Sequence, residues 1–233
     1  MKSIEEPEPE APLAVAESAV WDLPTRLVHW ALVALIAFSW WSVKNHQTDW
    51  HIWSGVAILT LLIFRLLWGL FGSSTARFAN FVRGPSVVRD YLRDNSSWRF
   101  AGHSPLGALS VVALLAATAL QVGLGLISVD EDGLNEGPLA QLVSLDTSEA
   151  ARDLHEQFFN LLLVLIGLHV AAIVFYRLAL GRKLTGAMFS GRAALEPDVE
   201  PMRPGRGWLA VVCLLAALAV SRWIIAGAPP LGT

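Results

Sequence analysis

The sequence predicts an all-α fold, an integral membrane helical bundle with a four-helix core and a fifth, C-terminal transmembrane helix. Three observations predict it. The 233 residues are 54% hydrophobic and only 16% charged, with a mean hydropathy of +0.50, which is too apolar for an ordinary soluble domain. Five apolar runs are each long enough to cross a hydrocarbon core of about 30 Å at about 1.5 Å per residue. The loops between them alternate between Arg-poor and Arg-rich, as the connections of a multi-pass protein do.

Taken in order, residues 1–19 are rich in Glu, Pro and Ala. They cannot bury an apolar face and are expected to be a disordered acidic tail. They lack the basic start, apolar run and small-residue cleavage site of a signal peptide. The spans follow at 24–43, 50–71, 105–129, 152–180 and 207–226. Each must be a helix, because a single segment with unpaired backbone groups is too costly in lipid. The first four belong to a membrane domain over 20–192, and 193–233 supply a linker and the fifth helix.

Lys and Arg in short loops stay on the cytoplasmic side. Arg77, Arg83, Arg89, Arg93 and Arg99 lie between the second and third spans, and Arg182, Lys183, Arg192, Arg203 and Arg206 between the fourth and fifth. The connection between the third and fourth spans carries Asp130, Glu131, Asp132, Glu136, Asp146 and Glu149, with no basic residue before Arg152. The N-terminus is therefore expected in the cytoplasm and the C-terminus in the periplasm, across a bacterial inner membrane. The acidic outer loop reads first as a solvated connector. Its functional reading is a docking surface for a basic soluble partner. A net charge of -3 and the lack of a clustered basic motif argue against nucleic acid as a partner. Cys213 is the one cysteine and lies in an apolar run, so no disulfide, zinc or iron–sulfur site can be drawn from cysteines, and without a CxxCH segment any haem is held non-covalently.

Histidine is costly in a bilayer and usually faces a bundle interior where it has a task. His29 starts the first span on the inner side, and His51 starts the second on the outer side. On the fourth span His155 lies near the outer end and His169 nearer the cytoplasm. The 14 residues between these two are close to four turns, so both rings project from nearly one face, about 21 Å apart. The four histidines fall into two levels, His51 with His155 and His29 with His169. Two facing imidazoles per level can hold an iron from above and below, and helix bundles build cofactor sites from facing side chains. Read singly, His29 and His51 are more often interfacial residues than ligands. The fourth-span pair, with counterparts at both depths, outweighs that reading. His46 lies in the outer hairpin and is given no role.

At this point the residues resemble a known family, the bacterial cytochromes b561, in the group that includes the cytochrome b subunits of nickel–iron hydrogenases. The matching segments are VWDLPTRLVHW at Val20–Trp30, HIWSGVAILTLLIFRLLWGLFGS at His51–Ser73, ARFANFVRGP at Ala76–Pro85 and GHSPLGALS at Gly102–Ser110, together with His155 and His169. The resemblance runs from about Val20 to Arg192. It implies a haem-binding core with two haems b, axial ligands His29, His51, His155 and His169, and electron exchange between membrane quinone or quinol and a partner such as a periplasmic c-type cytochrome or another redox protein. It assigns no catalytic residue. The fifth span and the stretch Asp130–Asp153 match none of its segments.

Arg26 and Arg65 are candidates for haem propionate contacts, since guanidinium binds carboxylate bidentately. The competing readings are a positive-inside anchor for Arg26 and snorkelling to the interface for Arg65. His103, at the inner start of the third span, is a third propionate candidate, weighed against a plain exposed histidine at a helix start. Gly123 and Gly125 most simply allow close helix approach, with close approach to a macrocycle as the second reading. Trp40, Trp41, Trp50 and Trp53 fit an interfacial belt. Two other functions compete with a membrane-embedded electron carrier. One is a cytochrome b anchor subunit of a hydrogenase-like complex. The other is a proton-coupled transporter with a histidine relay, which would need polar or broken helices that these spans lack.

Overall fold

The computed structural model describes residues 17–94 and 98–229, so most of the expected N-terminal tail lies outside the described residues. The elements run β1 (Glu17–Ala19), α1 (Leu23–Lys44), α2 (Thr48–Phe71), α3 (Phe78–Phe81), α4 (Pro85–Arg93), α5 (Pro105–Ile127), α6 (Leu145–Ala179), α7 (Leu184–Ser190), β2 (Arg192–Ala194) and α8 (Gly207–Ile225). Helices α1, α2, α5, α6 and α8 are the five long enough and apolar enough to cross a membrane. Their apolar side chains face outward in large number, as lipid-facing surfaces do, and α2 is the most enclosed of them.

Local chemistry sets the helix ends. Asp22 caps α1, accepting a hydrogen bond from the Thr25 amide at 2.7 Å, with Pro24 in the first turn. Ser104 caps α5 in the same way, ahead of Pro105. Helix α6 starts at Leu145, seven residues before the expected span start at Arg152, because Ser144 caps it and Asp146 sits in its first turn. Hydropathy misses these turns because they are polar. At 35 residues α6 is about 52 Å long and outruns any hydrocarbon core, so part of the acidic stretch is helix and not loop.

Helices α1, α5 and α8 all pack on α2, and α6 packs along α5 with few close backbone approaches to α1 or α2. The fifth span thus has a definite place. A cluster of Val28, Phe64, Trp68, Ala76, Cys213 and Ala217 joins α1, α2 and α8, and Thr60 donates to Ser221 across the α2–α8 contact at 2.9 Å. Trp68, 2% exposed, lies at the junction. Its indole donates to Asp22 at 3.0 Å, its ring stacks on Phe64, and it packs against the backbone at Gly205.

The two ends of the bundle differ in charge and construction. The basic end carries β1, β2, α3, α4 and α7. Here β1 pairs antiparallel with β2, Glu17 opposite Ala194, so Glu17–Ala19 are strand, which corrects their assignment to the tail. The pairing stitches the start of the membrane domain to its end, and the Met202 amide donates to the Ala19 carbonyl at 2.8 Å. Tyr91 on α4 and Tyr176 on α6 share a hydrogen bond of 2.9 Å. The acidic end carries the α1–α2 hairpin and the loop from Ser128 to Ser144. Gly137 of that loop lies so close over the end of α5 that a Cβ would fall 2.3 Å from the Leu126 carbonyl oxygen, which explains why glycine is needed there. Asp130 orders the loop by accepting from the amides of Leu134 and Asn135 and from the Asn135 side chain. These bonds hold its carboxyl below the usual range.

Candidate functional site

The four intramembrane histidines are half-buried and gather in two groups. At the acidic end, His51 from the first turn of α2 faces His155 from α6, with ring centroids 5.9 Å apart and planes at 88°. With bonds of about 2 Å from an imidazole nitrogen to a metal, two rings holding one ion have centroids roughly 6 Å apart. At the basic end, His29 from α1 and His169 from α6 lie within electrostatic reach of one another. Both depths expected from the 14-residue spacing on the fourth span are therefore present, each drawing one ring from α6 and one from the α1–α2 pair.

What orients each ring comes from elsewhere in the bundle. His155 Nδ1 donates to the Gln121 carbonyl on α5 at 2.9 Å, and the Gln121 side-chain amide donates back to the His155 carbonyl at 2.9 Å. His51 Nδ1 meets the Ser39 carbonyl at 3.1 Å and the Ser39 hydroxyl at 3.0 Å on α1. A carbonyl can only accept, so both Nδ1 atoms carry the proton, and each Nε2 keeps a free lone pair. His169 Nδ1 meets the Ser110 hydroxyl at 3.1 Å. His29 Nδ1 is buried with no hydrogen-bond partner. Sequence reasoning did not single out Ser39, Ser110 or Gln121. The available signal was the presence of Gln121 and two serines inside apolar spans, where polar groups usually have a task.

Gly125 on α5 lies against one of these rings. A Cβ there would lie 3.1 Å from the His155 ring, so this glycine lets the imidazole seat against α5. Around Gly123 nothing lies within 4 Å of that position.

Three further candidates cluster at the basic end. Arg65 is 6% exposed. It donates to the Ala76 carbonyl at 3.2 Å and stacks over the Phe78 ring at 4.8 Å, so it is buried and does not snorkel. Among the described residues it is in no ion pair, although Asp22 lies within electrostatic reach. Arg26 donates from Nη1 to the Phe189 carbonyl on α7, and its Nε is buried without a partner. His103 sits between Trp21 and Phe81, centroids 4.5 and 4.6 Å away, and its Nδ1 is buried without a partner. It is not the exposed histidine of the simpler reading. Burial, with Arg65, His169 and His29 nearby, pushes its imidazole down to about 3.

A depressed histidine implies a pH dependence of definite sign. In the unfolded chain the group titrates near its ordinary 6.5, and in the folded chain near 3. The unfolded state thus binds more protons between these values. The stability that His103 contributes is complete above pH 6.5 and is lost as pH falls toward 3, at up to about 1.4 kcal/mol per pH unit. For the polypeptide alone, the thermal midpoint is expected to fall between pH 7 and pH 4, and His103→Phe to flatten that dependence. Parallel profiles for the two proteins would rule the assignment out.

Among the described residues, no group of three or more His, Cys, Asp or Glu side chains is placed to hold a bare metal ion. Two opposed imidazoles instead suit an iron whose other positions are filled by a planar macrocycle, and the pair at the acidic end fits that requirement. An aromatic recess at the same end, lined by Phe38, Trp41, Asn45, Gln47 and Trp50, includes none of the four histidines in its walls.

Fold and site together define a polytopic helical membrane protein with paired intramembrane histidines suited to a macrocyclic iron. The family model described as prokaryotic cytochrome b561 matches residues 20–191, and the chain belongs to that family. It is a bacterial membrane protein of the b-type cytochrome class, with haem b as cofactor and electron transfer as activity. Neither curated proteins nor solved structures gave a match.

Proposed function

We propose that the chain holds two haems b, one between His51 and His155 and one between His29 and His169, and passes electrons between the quinone pool and a redox partner protein in respiration. The observation that carries this reading is the facing pair at 5.9 Å, echoed four turns along α6 by His169 with His29 beside it. Haem supplies the one-electron chemistry, and the polypeptide supplies position, burial and charge. Ser39 and Gln121 hold the protons on Nδ1 at the acidic end and so present Nε2 as the ligand atom. Arg65 and His103 are suited to receive a propionate at the basic end. Arg65 has donors beyond the one spent on Ala76, and His103 carries a buried nitrogen without a partner. Arg26 is a weaker candidate for the same role, because one of its donors is spent on Phe189.

In this reading the basic end lies in the cytoplasm, by the positive-inside rule, which puts the C-terminus in the periplasm. The acidic end then presents Asp130, Glu131, Asp132, Glu136, Asp146 and Glu149 close to the His51–His155 level, a surface suited to a basic soluble electron carrier such as a c-type cytochrome. A hydrogenase-like complex using the chain as its cytochrome b anchor is the second reading of the same surface.

Quinol added to the purified, haem-loaded protein in liposomes is expected to reduce both haems within the mixing experiment, seen as growth of the b-type absorption bands. Haems that respond to dithionite but not to quinol would contradict the quinone part of the proposal.

A further inference from the structure

We infer that α4 is an anchor for an anionic phospholipid of the leaflet at the basic end, with Arg89 and Arg93 holding the headgroup phosphate and Leu92 meeting an acyl chain. The inference does not depend on the number of haems or on the identity of the redox partner.

The first observation is the pattern of α4 itself. It is a nine-residue helix, Pro85–Arg93, and at about 3.6 residues per turn its side chains divide into two faces. Val87, Val88, Tyr91 and Leu92 share one face, and Ser86, Arg89, Asp90 and Arg93 the other. A helix built this way lies along a membrane surface, with its apolar face in the boundary between headgroups and acyl chains.

The second observation is its depth. Tyr91 is buried, and its hydroxyl shares a hydrogen bond with that of Tyr176 in the last turn of α6. Ser104, which caps α5, lies beside the same hydroxyl, with Arg182 within electrostatic reach. Gly181, at φ +67°, turns the chain after α6, and the Arg182 amide donates back to the Tyr176 carbonyl at 3.0 Å. The helix is therefore held at the level where two spans end, which is the level of the headgroups.

The third observation is what this docking leaves over. Tyr91 takes up one edge of the apolar face. Leu92, at the other edge, is 65% exposed. Arg89, one turn back, and Arg93 lie beside it, and the two arginines are four residues apart, so that their side chains are neighbours. Over residues 77–93, Arg77, Arg83, Arg89 and Arg93 meet one acid, Asp90, with Asp94 following the helix. Asp90 lies 3.5 Å from Arg89 Nε, and both side chains are mostly exposed. Such a pair is worth little and leaves the Nη groups for a stronger partner. Arg93 is in no ion pair among the described residues.

Guanidinium groups bind phosphate bidentately, and basic residues at this depth attract anionic lipid. A zwitterionic headgroup carries its own cation and gains less from the arginines. A free phosphate would engage the arginines and leave Leu92 bare, so an anionic lipid is the ligand that uses both. Bound there, it braces α4 against Tyr176, two turns along α6 from His169.

The test uses the full-length protein in a non-ionic detergent, with lipid binding read by native mass spectrometry. The probes are phosphatidylglycerol and phosphatidylcholine with the same acyl chains. Phosphatidylglycerol is expected to bind at least about tenfold tighter and to raise the thermal midpoint. Arg89→Gln combined with Arg93→Gln should weaken its binding about 25-fold, from roughly fivefold per arginine. Arg192→Gln combined with Arg206→Gln removes the same charge from exposed positions at the same end, and should change it by no more than about twofold. Asp90→Asn should tighten binding, and Leu92→Gln should weaken it with every charge in place. Midpoints in phosphatidylcholine, expected to be alike for all variants, separate lost binding from lost fold. If the Arg89 and Arg93 double variant is destabilised there, Asp90→Asn and Leu92→Gln decide. Equal binding of the two lipids, equal losses in the two double variants, or the same rise in midpoint with inorganic phosphate alone would overturn the inference.

Discussion

On the two-haem proposal, replacing His155 by Ala is expected to leave one haem per chain instead of two, and replacing His169 by Ala should do the same at the other level. His51→Ala should match His155→Ala in which spectral component disappears, and His29→Ala should match His169→Ala. The reasoning is geometric. Each level is built from one ring on α6 and one on the α1–α2 pair, and the levels are four helical turns apart, about 21 Å. Losing one axial imidazole removes half of the protein's grip on that iron without touching the other site. Haem content measured against protein, with the ferric EPR signals of each variant, checks the pairing. A variant that kept both haems would break the assignment of that histidine. A single-site variant that lost both would mean that the levels are not independent.

Trp68→Ala carries the second large effect, this time on stability. The side chain is 2% exposed and joins three helices through the Asp22 cap of α1, the Phe64 stack on α2 and the contact at Gly205 that leads into α8. Emptying such a site costs about 3–5 kcal/mol, which in a chain of this size lowers the thermal midpoint by on the order of 10 °C. The linker before α8 should also become accessible to protease, because α8 loses part of its seat. Trp68→Phe keeps the ring and loses the indole hydrogen bond, so its loss should be the smaller. An unchanged midpoint in Trp68→Ala would mean that this junction does not hold α8.

Much of this arrangement was legible in the residues. The five spans were visible because apolar length reads directly as membrane crossing, and the histidine levels because 14 residues is nearly a whole number of turns. The family resemblance, read from linked motifs between Val20 and Arg192, agrees with the family match at 20–191. Other features were hidden for physical reasons. The first turns of α6 are polar, so hydropathy passes over them although Ser144 and Asp146 mark a helix start. The β1–β2 pairing joins Glu17–Ala19 to Arg192–Ala194 across the whole membrane domain, and no local pattern announces so distant a contact. The same holds for the Nδ1 partners of the histidines. Ser39, Ser110 and Gln121 sit on other helices than the rings they orient, and their spacing from those rings becomes meaningful only once the helices are packed. Arg65 could be placed by depth, but its seat against Ala76 and Phe78 depends on how the chain turns back after α2.

The most direct test of the central claim is haem stoichiometry. The purified full-length chain, loaded with haem during expression, should show a b-type spectrum on reduction with dithionite and two non-covalently bound haems per polypeptide by pyridine haemochrome assay. One haem per chain, or none, would contradict the account of two histidine pairs sharing α6.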